Sequence, residues 1–306
     1  MQVLVTGATG YVGGELVPRL LARGHEVRCL VRDRRRLTAA WRERVTVVEG
    51  RVEDDQAVLR AADGCDLAYF LVHGMERDLR RLVERERAAA TAFRDAVDLA
   101  GVRRVVYLGG VIDEDHLVTA SPHLYARHQV GVELRAGPVP VTELRAGIVI
   151  GAGSASFRLL MAGARLPVQV DVPWLRSRTQ PIAGDDLLEL LIAVAEDPRA
   201  AGRVLEVGGP EVLTYGELTE RGREVLGHQA ARHVPVLYLP PEVAAAAAAQ
   251  LAGIDPVVAV GLLRSATNDA VVADDEVARR YPWAGRTPIR TAIADALGRS
   301  FANRVG

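Results

Sequence analysis

The chain has 306 residues, 49% of them hydrophobic and 25% charged, with a formal net charge of -1. That composition supports a large buried core in one big domain or two lobes, and its charge balance gives no global field toward nucleic acid or an anionic membrane. Cys29 and Cys65 lack C-x-x-C spacing, and the seven histidines show no H-E-x-x-H pattern, so no disulfide framework and no metal site are expected.

The first half alternates β-branched runs with helical patterns. Strands are predicted at 3–6, 27–31, 45–48, 67–72, 105–108 and 141–144, and helices at 12–23, 56–61, 79–100 and 124–136. This alternation predicts an α/β fold, a doubly wound parallel sheet of the Rossmann type. Gly24, Gly101 and Gly137 stand where left-handed helix caps are expected. After "RAGIVIGAGSASF" the pattern changes to a helix at 156–164, a proline- and tryptophan-bearing loop, a helix at 185–195 and a strand at 204–207. Ser154 or Ser156 reads as a helix cap, and Thr214 with Glu217 as a capping box. The alanine-rich remainder, from about Pro241, is predicted helical. The expected division is a dinucleotide-binding domain over 1–155, with 179–210 returning to it, and a smaller, mostly helical lobe from 156–178 and 211–306. The first residues run straight into a strand without a signal-peptide pattern, and "AAAAAA" at 244–249 is too short to span a bilayer, so a cytoplasmic monomer or homodimer without membrane or nucleic-acid partners is expected.

The strongest motif is "VLVTGATGYVGGELVPRLLARGHEV". A strand ends at Thr6, and Gly7, Gly10 and Gly13 follow at G-x-x-G-x-x-G spacing before an amphipathic helix. Glycines there permit a tight turn, close approach of backbone N–H groups to a pyrophosphate, and close helix–strand packing, while the helix start supplies a positive dipole end. The second strand ends "CLVRDRRR", with Val31 where an NAD site wants an acid and Arg32 after it. A guanidinium binds a phosphate bidentately, so Arg32 points to NADP(H), with Arg34 or Arg35 helping and Arg36 a solvated cation. Asp33 beside it argues the other way.

With "TGATGYVGG", "LVRD", "AYFLVHGM", "RRVVYLGG", "TELRAGIVIGAGSASF", "QPIAGDD" and "EVGGPEVLTYGEL" in place, the chain resembles the atypical extended short-chain dehydrogenase/reductases. It is most similar to their NAD(P)H-binding branch of NmrA-like and complex I 39-kDa-subunit-like proteins. The resemblance covers 1 to about 228 best and weakens from 241 onward. It implies that Thr9, Tyr11 and Val12 lie on the pyrophosphate turn. It places Leu71 and Val72 beneath the cofactor and His73 in the cleft, and gives Ala146, Gly147 and Ile148 to the nicotinamide amide. Arg51 stands where such proteins often put an aspartate against the adenine, leaving Val52 a backbone or apolar contact. Active members carry a Ser or Thr after the fifth strand and a Tyr with a Lys four residues on. Here Gly109 and Gly110 replace the hydroxyl, Tyr125 fits the tyrosine and Gln129 fills the lysine's place.

Gln129 can bond a ribose hydroxyl but cannot stabilise a phenolate, so Tyr125 is expected to act as a neutral proton donor, which suits reduction better than alcohol oxidation. His73 and His128 are candidate substitutes for the lost charge. Trp174, Arg178 and Gln180 lie in the loop expected to roof a substrate cleft, although Trp174 serves equally well as a core anchor. The expected function is NADPH-dependent reduction of a carbonyl or activated double bond in a small organic substrate. The alternative is a non-catalytic NADP(H)-binding redox sensor or assembly protein.

Overall fold

The computed structural model describes residues 1–72, 74, 79–236 and 239–305. By internal packing the chain divides into two compact units, Met1–Gly110 with Ala126–Arg145 and Leu188–Leu205, and Val111–Tyr125 with Ala146–Leu187 and Glu206–Gly306.

In chain order the first part builds β1 (Gln2–Thr6), α1 (Tyr11–Ala22), β2 (Glu26–Val31), α2 (Ala39–Arg42), β3 (Thr46–Glu49), α3 (Asp55–Ala62), β4 (Leu67–Phe70), α4 (Leu79–Leu99), β5 (Arg104–Gly110), α5 (Pro122–Arg135) and β6 (Val141–Ala146). The sheet is completed by β11 (Val204–Val207) in the order β11–β6–β5–β4–β1–β2–β3. The pairings among β1 to β5 are parallel. From β1 the chain moves outward through β2 and β3 and then restarts at β4 on the other side of β1. The carboxyl ends of β1 and β4 therefore flank a topological switch point, where open α/β sheets hold their ligands.

The strands bury because their side chains are apolar on both faces. Val3, Leu4 and Val5 are wholly buried, as are Ala68 and Tyr69. Against one face, α3 and α4 contribute Val58, Ala90, Phe93 and Val97 to a continuous core with Phe70, Val105 and Tyr107. Phe93 meets Phe70 edge-on with ring centroids 4.9 Å apart, an arrangement that adds to simple area burial. On the other face the buried Tyr69 hydroxyl donates to the Leu191 carbonyl oxygen at 3.1 Å, fixing α7 (Gly184–Glu196) to the sheet.

Gly24 and Gly101 take positive φ at the ends of α1 and α4, as expected of left-handed caps. Gly137 corrects the third such expectation, because it is not among the positive-φ glycines. A Cβ there would lie 2.6 Å from Cγ of Arg94; the residue is small to let that arginine lie across the helix end.

The second unit is built on short strand pairs: β7 (Val149–Ile150) parallel to β10 (Ile182–Ala183), β9 (Arg178–Thr179) antiparallel to β12 (Leu213–Thr214), and β8 (Val168–Asp171) parallel to β13 (Arg232–Pro235). None was predicted, since two to four residues leave no readable alternation. Its helices are α6 (Ala155–Ala164), α8 (Tyr215–Val225), α9 (Pro241–Ala252), α10 (Pro256–Ser265), α11 (Glu276–Arg280) and α12 (Ile289–Val305). Ser154 caps α6 through the Phe157 N–H, and Thr214 and Glu217 form the expected capping box. Phe157, Met161, Leu218 and Ile293 share a core with Ile150 and Ala183. Residues 111–125, 146–155, 179–187 and 206–210, expected with the dinucleotide-binding part, fall in this unit on the division by packing. Among the described residues no helix is long and apolar enough to cross a membrane.

Candidate functional site

The β1–α1 turn shows why each glycine is there. The Thr6 hydroxyl donates to the Tyr69 carbonyl at 3.0 Å and accepts from the Leu71 N–H at 3.3 Å, pinning the end of β4 beside that of β1. Gly7 follows with φ of +77°, and a Cβ on it would lie 2.6 Å from the Leu71 oxygen. A Cβ on Gly13 would lie 2.4 Å from the Gly7 oxygen, so α1 can approach the turn only through glycine. Gly10 is the N-cap, with no side-chain cap and no acidic residue in the first turn. No side chain at the N-cap meets the first N–H groups of α1, and the helix start presents its positive dipole end there. Thr9 and Gly10 are exposed and Tyr11 and Val12 partly so. A side chain at position 7 or 13 would force the end of β4 or the start of α1 away from the turn.

Beyond β2, Arg32 is exposed and makes no hydrogen bond or ion pair among the described residues. Asp33, the acid that argued against a phosphate, is occupied. Its Oδ1 accepts from the Arg35 backbone N–H at 2.9 Å and from Arg35 Nε at 3.0 Å. The Arg35 hydrogen bonds hold its carboxyl below the usual range. One arginine of the cluster neutralises the acid while Arg32 keeps its charge available.

After β3, Val52 belongs to the core, whereas Arg51 is exposed with Nε 3.9 Å from Glu53. Leu71 is half-buried, and Val72, also half-buried, packs against the first unit's core. His73 lies outside the described residues.

Gly109, at the end of β5, is packed against a buried ion pair. A Cβ there would lie 2.9 Å from Glu143 Oε1, and a Cβ on Gly131 of α5 would lie 2.5 Å from Glu143 Oε2. Glu143 is 1% exposed on β6; its Oε1 accepts from Arg145 Nε at 2.9 Å and Arg135 pairs with Oε2. The place where active relatives carry a hydroxyl is therefore occupied from behind by a carboxylate. Sequence reading missed this pair, although two opposite charges at alternate positions of the strand "VTELRA" had to share a face.

A second missed residue is Glu86. On α4 it stands between Leu82 and Ala89–Ala90 in the stripe that buries Phe93, and that periodicity was the available signal. Its carboxylate accepts from the Gly74 N–H, in the segment that leaves β4. Burial pushes the carboxyl up to about 7, against the opposing pull of the Gly74 N–H and the Arg127 guanidinium. Arg127 donates to the Leu108 carbonyl at 2.7 Å, and the Tyr107 hydroxyl donates to the Arg127 carbonyl at 2.7 Å, so this face of α5 is tied to β5.

Tyr125 and Gln129 lie one turn apart on α5, each half-buried, and neither side chain has a hydrogen-bond partner among the described residues. His128 between them is buried. The loop residues are otherwise engaged. Trp174 Nε1 donates to the Leu239 carbonyl at 3.1 Å, and Arg178 pairs with Asp269 through both its backbone and its guanidinium. Gln180 spends both ends of its amide, donating to Gly209 at 2.8 Å and accepting from Val272 at 3.2 Å. Ala146 is buried, and the Ile148 carbonyl accepts from the Ile182 N–H at 2.8 Å. Gly147 has no room for a Cβ, which would lie 2.5 Å from the Gln180 oxygen.

A family model described as the NmrA-like family matches residues 1–252. The (4-alkanoyl-5-oxo-2,5-dihydrofuran-3-yl)methyl phosphate reductase of Streptomyces griseus is 30% identical over 268 residues, covering 87% of this chain and 86% of that protein. The isoflavone reductase homolog IRL of Zea mays is 26% identical over 232 residues, covering 71% and 72%. Among solved structures, the Citrobacter triphenylmethane reductase complexed with NADP(H) superposes with a TM-score of 0.71 at 18% identity, covering 97% of this chain and 100% of that one.

Two expectations follow from the geometry. Gly109→Ser should force the Glu143–Arg145 pair to shift and cost about 1–3 kcal/mol, read as a lower urea midpoint. Glu86 holds its proton more tightly when folded, its carboxyl being raised from 4.5 to about 7. Its stabilising contribution is complete below about pH 4.5 and is lost as pH rises through 7. Glu86→Gln should flatten that decline by roughly 2–3 kcal/mol across the window, measured by denaturation at successive pH values.

Proposed function

The chain belongs to the NmrA-like family, and on that premise we propose that it is an NADPH-dependent oxidoreductase that reduces a carbonyl or activated double bond of a small organic substrate. The observation that carries the reading is the pairing of a glycine cradle with an uncompensated Arg32 beside an already neutralised Asp33. Gly7, Gly10, Gly13 and the first turn of α1 would hold the pyrophosphate, with Thr9, Tyr11 and Val12 around it. Arg32 would bind the additional phosphate on the adenosine ribose. Val52, Leu71 and Val72 would contact the cofactor along the strand ends, and Ala146, Gly147 and Ile148 would meet the nicotinamide amide. The bound cofactor supplies the hydride.

The protein's own part is proton delivery and orientation. Tyr125 is the proton donor of this proposal; Gln129 on the same helix face bonds a ribose hydroxyl but brings no charge, so the phenol works as a neutral acid. The reductases among the similar proteins support this class of reaction. A second reading, a non-catalytic dinucleotide sensor, is favoured by one specific feature: position 109 carries no hydroxyl and the Glu143 carboxylate stands against it.

Titration with NADPH and NADH should show tighter binding of NADPH. Arg32→Ala should remove at least about tenfold of that preference, roughly 1.4 kcal/mol, while leaving NADH nearly unchanged; equal affinities in the parent protein would refute the phosphate assignment. In a screen of carbonyl and enone compounds for NADPH oxidation, Tyr125→Phe should lower turnover by roughly 100-fold or more. Full activity in that variant would exclude the proton-donor role, and tight NADPH binding with no turnover across the screen would favour the sensor.

A further inference from the structure

The second unit contains a cavity of about 420 Å³ between β8, the helical turn at Pro173–Arg176, β12, α8 and β13. Nothing in the dinucleotide proposal uses it, and each residue lining it belongs to the second unit. The apolar part of its lining is Val172, Leu175 and Leu213.

The charged groups around the rim are largely spent on one another. Asp171 accepts from His233 Nδ1 at 2.9 Å. Glu217 is folded back onto the Thr214 N–H at 2.7 Å as part of the capping box. Glu220 pairs with Arg223 at 3.2 Å, and Glu224 with Arg221 at 3.1 Å and Arg290 at 2.9 Å. Two lining groups are not engaged. Arg176 is exposed and has no ion pair or hydrogen bond among the described residues. Gln169 is only 9% exposed, and its Oε1 is buried without a hydrogen-bond partner. Such an orphaned amide ordinarily costs stability unless something meets it. Gly216, at the start of α8, leaves room beside the amide, since a Cβ there would lie 3.3 Å from Gln169 Nε2.

We propose that this cavity is a binding site for a small carboxylate that also carries a hydrogen-bond donor, that is, an amino or hydroxy acid with a short apolar side chain. Arg176 takes the carboxylate, the Gln169 amide takes the amine or hydroxyl, and Val172, Leu175 and Leu213 cover the hydrocarbon. The volume suits a ligand at the small end of the usual range for such sites. A carboxylate is preferred over a cation because the acids at the rim already have donors, whereas the Arg176 guanidinium does not.

Isothermal titration of the full chain with four matched probes tests this: leucine, 2-hydroxy-4-methylpentanoate, 4-methylpentanoate, which lacks the donor, and leucinamide, which lacks the carboxylate. One or both of the first two should bind, and deleting either functional group should weaken binding about tenfold; which of the two binds better separates the amino from the hydroxy source. Arg176→Ala should cost the carboxylates about tenfold, and Gln169→Met should abolish the advantage of the donor-bearing probes. Gln169→Met should also leave the melting temperature of the free protein unchanged or raised, because the amide it removes has no internal partner. No binding of any probe at about 10 mM, tightest binding by leucinamide, affinities untouched by both substitutions, or a collapse of stability in Gln169→Met would each overturn the proposal.

Discussion

The end of β4 lies so close to Gly7 that the Leu71 carbonyl occupies the space a side chain would need. Thr6 holds that approach by accepting from the Leu71 N–H and donating to the carbonyl of Tyr69, two residues earlier. Everything at the switch point inherits this constraint. The turn after β1 has to be left-handed, α1 has to start at an uncapped Gly10, and Gly13 has to be bare so that the helix can sit on the turn. A turn of backbone N–H groups at a helix start is the by-product of that packing, and such a turn suits a diphosphate.

Electrostatics refine the same corner at short range. Asp33 and Arg32 are sequence neighbours of opposite charge, and in solution they would largely cancel for an approaching phosphate. The short helical turn at Arg34–Arg36 draws Asp33 into its own N-cap and onto Arg35, so the two neighbours end in different electrical situations. The half-buried acid is neutralised locally and the exposed base is not.

Much of the first unit was legible because its physics is local and repetitive. Strands buried on both faces read as apolar runs, glycine turns have a fixed spacing, and helices announce themselves with periodicity and left-handed glycine caps, as at Gly24 and Gly101. What escaped notice depends on partners distant in sequence. The Glu143 pair draws on β5, α5 and β6 at once; Glu86 looks like one more charge in "VERERAAA" until the helix face is drawn; and the small strand pairs of the second unit are too short to carry a pattern. Gly137 was misread for a related reason: a glycine after a helix can answer to conformation or to crowding, and here Arg94 supplies the crowding.

The Glu143 wedge also bears on how this chain can change over evolutionary time. A hydroxyl at position 109 cannot simply be added, because the carboxylate behind it is held by two arginines and is matched to a second bare position, Gly131. Removing the carboxylate alone would break the buried pair that Arg145 makes with it, a loss on the order of several kcal/mol. The substitutions are therefore epistatic: each is harmful before the others are in place, so a serine or threonine at position 109 is reached only by way of less stable intermediates.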